Sequence, residues 1–171
     1  MSEIIKDGQV VSDEWVVFNL SPDQQPNDVE IPEGNVIVPL QVWKSQHALL
    51  SVRNNVGVWL ASDERAEELA ADVATLKVVA IHFPKFSDGR GYSIAYNLRS
   101  RLGYQGELRA IGDVLRDQLF YMQRVGFNAF ATRADRNIHD AVKGLSDFST
   151  SYQASIDQKS PLFRRVERRA A

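Results

Sequence analysis

The chain has 171 residues, 44% hydrophobic and 25% charged, with 20 basic and 22 acidic side chains for a formal charge of −2. This is the size and balance of one ordinary globular domain, and near-neutral charge argues against broad nucleic-acid binding. The absence of Cys excludes a disulfide scaffold, a thiol nucleophile, a thiolate zinc site and a Cys-ligated iron–sulfur cluster.

The segment Met1–Asp13 carries Glu3, Lys6 and Asp7 and has no apolar stretch of signal-peptide length. No window approaches the ~18 apolar residues of a membrane span, so a cytoplasmic protein is expected. Ile4-Ile5-Lys6-Asp7-Gly8-Gln9-Val10-Val11 predicts a hairpin, because Asp-Gly between apolar pairs suits a turn with two positive φ angles. Trp15–Phe18 predicts a third strand. Residues 21–34, with three prolines, predict a linker or loop.

From Asn35 the chain alternates strand and helix. Val36–Leu40 is an apolar strand, followed by a helical stretch from Val42 to Arg53. Gly57–Ala61 is the next strand. Ser62 or Asp63 can cap a helix whose apolar face is Ala66, Leu69, Ala70, Val73 and Leu76. Val78–Phe83 is apolar apart from His82 and does not alternate, as suits a strand buried on both faces. Ile94, Ala95, Leu98 and Leu102 share one helix face, and Gly103 stands where a left-handed cap belongs. Glu107–Ile111 is a fourth strand. Asp113 can cap a helix bearing Leu115, Leu119 and Met122, which ends at Gly126. Phe127–Ala131 is the fifth strand, and Ile138, Ala141, Val142 and Leu145 mark the last helix.

This pattern predicts an α/β domain over residues 1–148: an N-terminal antiparallel hairpin and linker (1–34), then about five strand–helix units (35–148) forming a parallel sheet. The sheet is either open or an incomplete barrel. Exposed parallel edges would favour a homodimer. Residues 149–171, rich in Ser, Thr and Gln, predict a weakly ordered tail. Its basic end, Arg164–Arg169, is either a solvated terminus or an arm for an acidic partner.

Sites in parallel α/β sheets lie at the carboxyl ends of strands. After the third parallel strand comes Phe83-Pro84-Lys85-Phe86-Ser87-Asp88-Gly89-Arg90-Gly91-Tyr92-Ser93, a glycine-containing, cationic entry to a helix. Unpaired N–H groups and a partial positive charge gather there. Lys85, Ser87, Gly89, Arg90, Gly91 and Tyr92, with Arg109 and Arg116, are the candidate anion-binding residues, suited to phosphate, sulfate, sulfite or a carboxylate. The plainer alternative is a tight turn with Asp88 or Ser87 as cap. The loop matches neither a P-loop nor a dinucleotide fingerprint, so no nucleotide cofactor is called for. Asp88, Asp113 and His82 are candidate acid–base or metal groups at strand ends. Against that stand a cap role for Asp113 and a packed or rim position for His82. His47 and His139 read as packing or surface residues, and no histidine pair has a metal-ligand spacing. Tyr92, Tyr96, Tyr104, Phe120 and Tyr121 read as core and interface packing.

The stretch Ile81–Ser93, together with Leu102-Gly103-Tyr104-Gln105-Gly106-Glu107-Leu108-Arg109-Ala110-Ile111-Gly112-Asp113-Val114-Leu115-Arg116-Asp117-Gln118, closely resembles an uncharacterised bacterial family encoded beside assimilatory sulfite reductase. Ile4-Ile5-Lys6-Asp7-Gly8 and Trp15 are similar to it too, so the resemblance runs over residues 3–148. Members often carry the label of an oxidoreductase of sulfite reduction, but the resemblance brings no established catalytic residues. Sulfite reduction needs a haem-type centre coupled to an iron–sulfur cluster, which a Cys-free chain cannot ligate. The resemblance therefore implies an accessory protein of sulfate or sulfite assimilation. It would bind a small oxyanion or an adenylyl-sulfate-type nucleotide at residues 84–93, or dock on sulfite reductase or another assimilation enzyme. An enzyme of unknown reaction using Asp88, Asp113 and His82 is the alternative.

Overall fold

The computed structural model describes residues 2–165. Strand β1 (Glu3–Lys6) turns into β2 (Gln9–Ser12) through Asp7 and Gly8, at φ 49° and 80°. Both signs are those a two-residue hairpin turn requires. The remaining strands are β3 (Val16–Val17), β4 (Val36–Pro39), β5 (Val56–Leu60), β6 (Val78–Phe83), β7 (Glu107–Gly112) and β8 (Ala129–Phe130). The helices are α1 (Leu40–Ser45), α2 (His47–Leu50), α3 (Arg90–Ser100), α4 (Leu119–Arg124), α5 (Ile138–Ala141) and α6 (Leu162–Arg165). None is long and apolar enough to cross a membrane.

All eight strands form one curled, open sheet, a half-barrel, in the order β2-β1-β8-β7-β6-β5-β4-β3. Neighbours from β3 to β8 are parallel, while β1 joins both β2 and β8 antiparallel. The strand count exceeds the five-unit expectation because the N-terminal residues are not an appendage. The hairpin pairs Ile5 with Phe130 and Lys6 with Ala129, and β3 pairs with β4. The hairpin thereby covers the β8 side of the parallel strands, while the short β3 is the edge at the other end.

Consecutive parallel strands lie side by side, so right-handed crossovers put the helices on one face. There Val38, Val58, Leu60, Val79, Ile81 and Phe83 pack with Leu98, Leu119 and Met122 into the main core. The inner face holds a smaller cluster of Ile37, Val78, Ala80 and Ile111, flanked by Trp15 and Trp59.

Strands β2 and β3 stand at opposite edges, yet only Asp13, Glu14 and Trp15 join them. Eight flat strands would span about 34 Å at ~4.8 Å each, while four residue steps reach about 14 Å. The short connector is compatible only with a strongly curled sheet.

Three local expectations need correction. The helix predicted across Ala66–Leu76 is a 3₁₀ turn at Ala66–Leu69 followed by further turns. Thr75 bonds its hydroxyl back to the Asp72 carbonyl (3.0 Å), and the Asp72 carboxylate accepts from Trp43 Nε1 (3.0 Å) and pairs with His47 (2.8 Å). These bonds divert the segment from a regular helix. Neither Ser62 nor Asp63 caps that turn; Glu68 accepts from the Arg65 amide instead (3.1 Å). Nor does Asp113 cap the α4 region, where the Gln118 side chain accepts from the Leu115 amide (3.1 Å). Gly103 does hold positive φ (66°) after α3.

Residues 149–165 include α6. Ser155 and Ile156 bond the Arg124 carbonyl at 2.7 and 3.1 Å, and Arg124 pairs with Asp157 at 3.3 Å. Of the basic end, only Arg164 and Arg165 fall within the described residues; Val166–Arg169 lie outside them.

Candidate functional site

The loops following β5 to β8 meet at the carboxyl rim of the sheet. Those after β6 and β7 are stitched together. The Phe86 amide donates to Asp113 (2.8 Å), and the Gln118 side chain donates to the Phe86 carbonyl (2.8 Å).

Asp88 dominates the loop that opens α3. Its carboxylate accepts from Arg90 Nε (3.0 Å), Arg90 Nη2 (2.7 Å), the Arg90 amide (3.2 Å) and the Ser62 hydroxyl (2.8 Å). The Arg90 guanidinium, then the Ser62 hydroxyl, hold its pKa far below the ordinary carboxylate range, and Asp88 in turn raises that of Arg90. The planar fork that would grip an oxyanion already grips a carboxylate of its own loop.

The two loop glycines do different things. Gly89 stands at φ −81°, and a Cβ there would meet nothing nearer than a Tyr92 ring carbon at 3.9 Å. At Gly91 a Cβ would lie 2.7 Å from the Phe83 ring. Gly91 therefore lets α3 close onto β6, rather than letting a ligand close onto the backbone. Lys85 and Ser87 are exposed. Tyr92 stacks edge-on against Phe83 (5.4 Å) and Tyr121 (5.2 Å), and burial raises its hydroxyl pKa.

The other cations do not converge on this loop. Arg109 is 2% exposed on the inner face. It bonds Asp13 twice (2.9 and 3.0 Å) and Glu107 (2.7 Å), and Lys6 reaches Glu107 from outside (2.7 Å). Arg116 turns toward Asp140 on α5 and toward Asp147, both at 3.2 Å. In place of a shared anion-binding hollow for Lys85, Arg90, Arg109 and Arg116, the described residues show each arginine paired with carboxylates of the chain itself.

Each member of the proposed acid–base set has its own surroundings. Asp113 accepts from Phe86 and from Arg133 Nη1 (3.1 Å). His82 lies half-buried on the inner face, its ring 5.7 Å from Trp59, and burial lowers its pKa. Among the described residues no group of three or more His, Asp or Glu is placed to hold a metal ion.

Two features escaped the sequence reading. Arg133 and Arg136 stand in the loop after β8, beside a charged cleft of about 480 Å³ walled by Arg116, Asp117, Asp135, Arg136, Asp140 and Asp147. The run Arg133-Ala134-Asp135-Arg136 directly after the fifth strand was the available signal. The second is a groove of about 520 Å³ between α3 and α4. It is lined by Tyr92, Tyr96, Asn97, Arg101 and Tyr121, with Ala154 and Ser155 closing one side. Tyr104 is core, as expected, whereas Tyr96 and Tyr121 are 44% and 57% exposed.

Residues 57–163, from β5 into α6, match a family described as a bacterial protein of unknown function (DUF934). The chain belongs to that family. No curated protein and no solved structure matches it. The DUF934 span takes in the rim loops, the charged cleft and the tyrosine groove, and leaves out β1 to β4.

Proposed function

We propose that this chain is a non-catalytic accessory protein that docks on a protein partner. Sulfite reductase, or another enzyme of sulfate assimilation, is the partner that the family resemblance implies. The observation carrying the reading is the groove between α3 and α4, where Tyr96 and Tyr121 present aromatic surface to solvent beside the half-buried Tyr92. Tyrosines of this kind anchor protein interfaces, since they bury much area for little lost freedom.

The rim supports the same reading from the other side. Its acids and bases neutralise one another: Asp88 with Arg90, Asp113 and Asp135 with Arg133, Asp140 and Asp147 with Arg116. An oxyanion at residues 84–93 would have to displace Asp88 from Arg90. An acid–base reaction would have to use Asp88, which already accepts four hydrogen bonds, or Asp113, which accepts two.

The test is a binding measurement between the purified full chain and the assimilatory sulfite reductase of the same cell, by calorimetry or sedimentation. A complex of defined stoichiometry at micromolar concentration is expected. Failure to bind it, and to bind the other assimilation enzymes, removes the reading. Calorimetry with sulfite, sulfate, phosphate and adenylyl sulfate should show no site that depends on Arg90.

A further inference from the structure

The body of the chain and its C-terminal segment differ in charge. Residues 1–148 carry 15 cations and 20 anions, while residues 149–171 carry five cations and two anions. The cationic segment is the one that walls the tyrosine groove. Ala154 and Ser155 form one side of it, the Leu162 amide bonds the Tyr152 carbonyl at 3.0 Å, and Arg165 bonds the Ser151 carbonyl. Helix α6 is thus tied to the residues just before the groove wall. Its Arg164, with Lys159, is exposed.

At the opposite wall stands Arg101, 71% exposed, whose only ion-pair partner among the described residues is Glu67 at 3.9 Å. At that distance and exposure the pair is weak, so its donors are available. The one acid of the described C-terminal segment, Asp157, is taken by Arg124 at 3.3 Å. Tyr152 and Phe163 add two exposed rings beside these cations. Aromatic area flanked by exposed cations, with Arg164 lying over the Phe163 ring at 5.8 Å, on a body that is otherwise acidic, selects both the partner's sign and the face it meets.

Resting on the docking reading above, we propose that the groove between α3 and α4, with the α6 arm, receives a carboxylate-rich surface segment of a protein partner. The tyrosines supply contact area, while Arg101, Lys159 and Arg164 supply charge and orientation. Acidic residues on the partner would be repelled by the body of the chain and drawn to this end, which fixes the docking pose. A nucleic acid is disfavoured because a long polyanion would also run over the acidic body.

The experiment uses the full chain and the purified sulfite reductase. Affinity is measured for the wild type, for Tyr96→Ala with Tyr121→Ala, and for Arg101→Glu with Arg164→Glu, across rising salt. Each double variant should weaken binding at least about tenfold. Wild-type affinity should fall with salt, and less steeply in the charge-reversed variant. All these positions are exposed, and unchanged thermal unfolding certifies the fold. A photo-crosslinker at position 96 should capture a partner segment with net negative charge. If the reductase binds but the variants and salt change nothing, or the captured segment is neutral or basic, this inference fails while docking stands. If the reductase does not bind at all, both fall. Single-stranded RNA that competes for the same tyrosines at comparable affinity would also overturn it.

Discussion

Arg109 places a permanent positive charge where water cannot reach it. Asp13 and Glu107 meet it with four contacts at 3.0 Å or less, and this ion cluster ties the β2–β3 connector to the middle of the sheet. Removing one member of such a cluster strands the rest, which typically costs about 3–5 kcal/mol. Arg109→Ala should therefore lower urea-unfolding stability by about that amount. Adding Asp13→Asn and Glu107→Gln to it should recover much of the loss, because the orphaned charges are gone. A single variant as stable as wild type would show the cluster to be ornamental. His82 makes a different prediction. Burial holds its folded pKa below 6.5, so as pH falls the unfolded chain takes up the proton first. Stability supplied by neutral His82 is complete above about pH 6.5 and is lost as the pH falls through the lowered folded value. His82→Gln should thus lose less stability than wild type between pH 7 and 5. Parallel pH curves for the two proteins would sink the assignment. Of these residues only part was legible in the sequence. A strand-interior Arg signals either an edge or a buried pair, but Asp13 lies 96 positions away and nothing local names it. Asp88, by contrast, stands two residues before Arg90. That pairing was readable, and reading the loop as a cradle for outside anions overlooked the anion already in it.

At the scale of elements, local pattern served well where burial is uniform and poorly where a side chain has a distant duty. Val78–Phe83 reads as a two-faced buried strand and is one. The spacing of Ile94, Ala95 and Leu98 and the stop at Gly103 place α3 correctly. The segment Ala66–Leu76 has equally good helical spacing, yet Asp72 serves Trp43 and His47 instead of a helix. The contact between α3 and β6 provides a direct test of what the loop glycines are for. A methyl group at 91 would press into the Phe83 ring at 2.7 Å, and overpacking of this kind costs about 1–3 kcal/mol. Gly91→Ala should therefore destabilise by that amount. Gly89→Ala, in open space at an ordinary φ, should stay within about 0.5 kcal/mol. Thermal melts of the pair decide it. Equal effects would mean that helix–strand packing is not what requires Gly91.

For the whole molecule, the sequence announced a parallel α/β sheet but not its closure. The hairpin signal Asp7-Gly8 is local, whereas the pairing of β1 with β8 joins residues more than 120 positions apart. The curl also depends on the brevity of the Asp13–Trp15 connector, which has meaning only once β2 and β3 are known to occupy opposite edges. Such a sheet should not be uniformly stable. Strands β6 and β7 pair over six positions from Val78↔Glu107 to Phe83↔Gly112 and are covered on both faces. Strand β3 pairs over two and is held by a connector anchored at Asp13. Amide hydrogen exchange should therefore be slowest in β6 and β7 and fastest, among the strands, in β3. Asp13→Asn weakens the anchor without creating a cavity. It should speed exchange at Val16 and Phe18, whose amides donate to Asn35 and Ile37, by more than it speeds β6 and β7, which register only the loss of global stability. Acceleration spread evenly over all eight strands would mean that Asp13 contributes to global stability alone. Acceleration greatest at the β3 edge would identify the Asp13–Arg109 contact as the clasp that keeps the sheet curled.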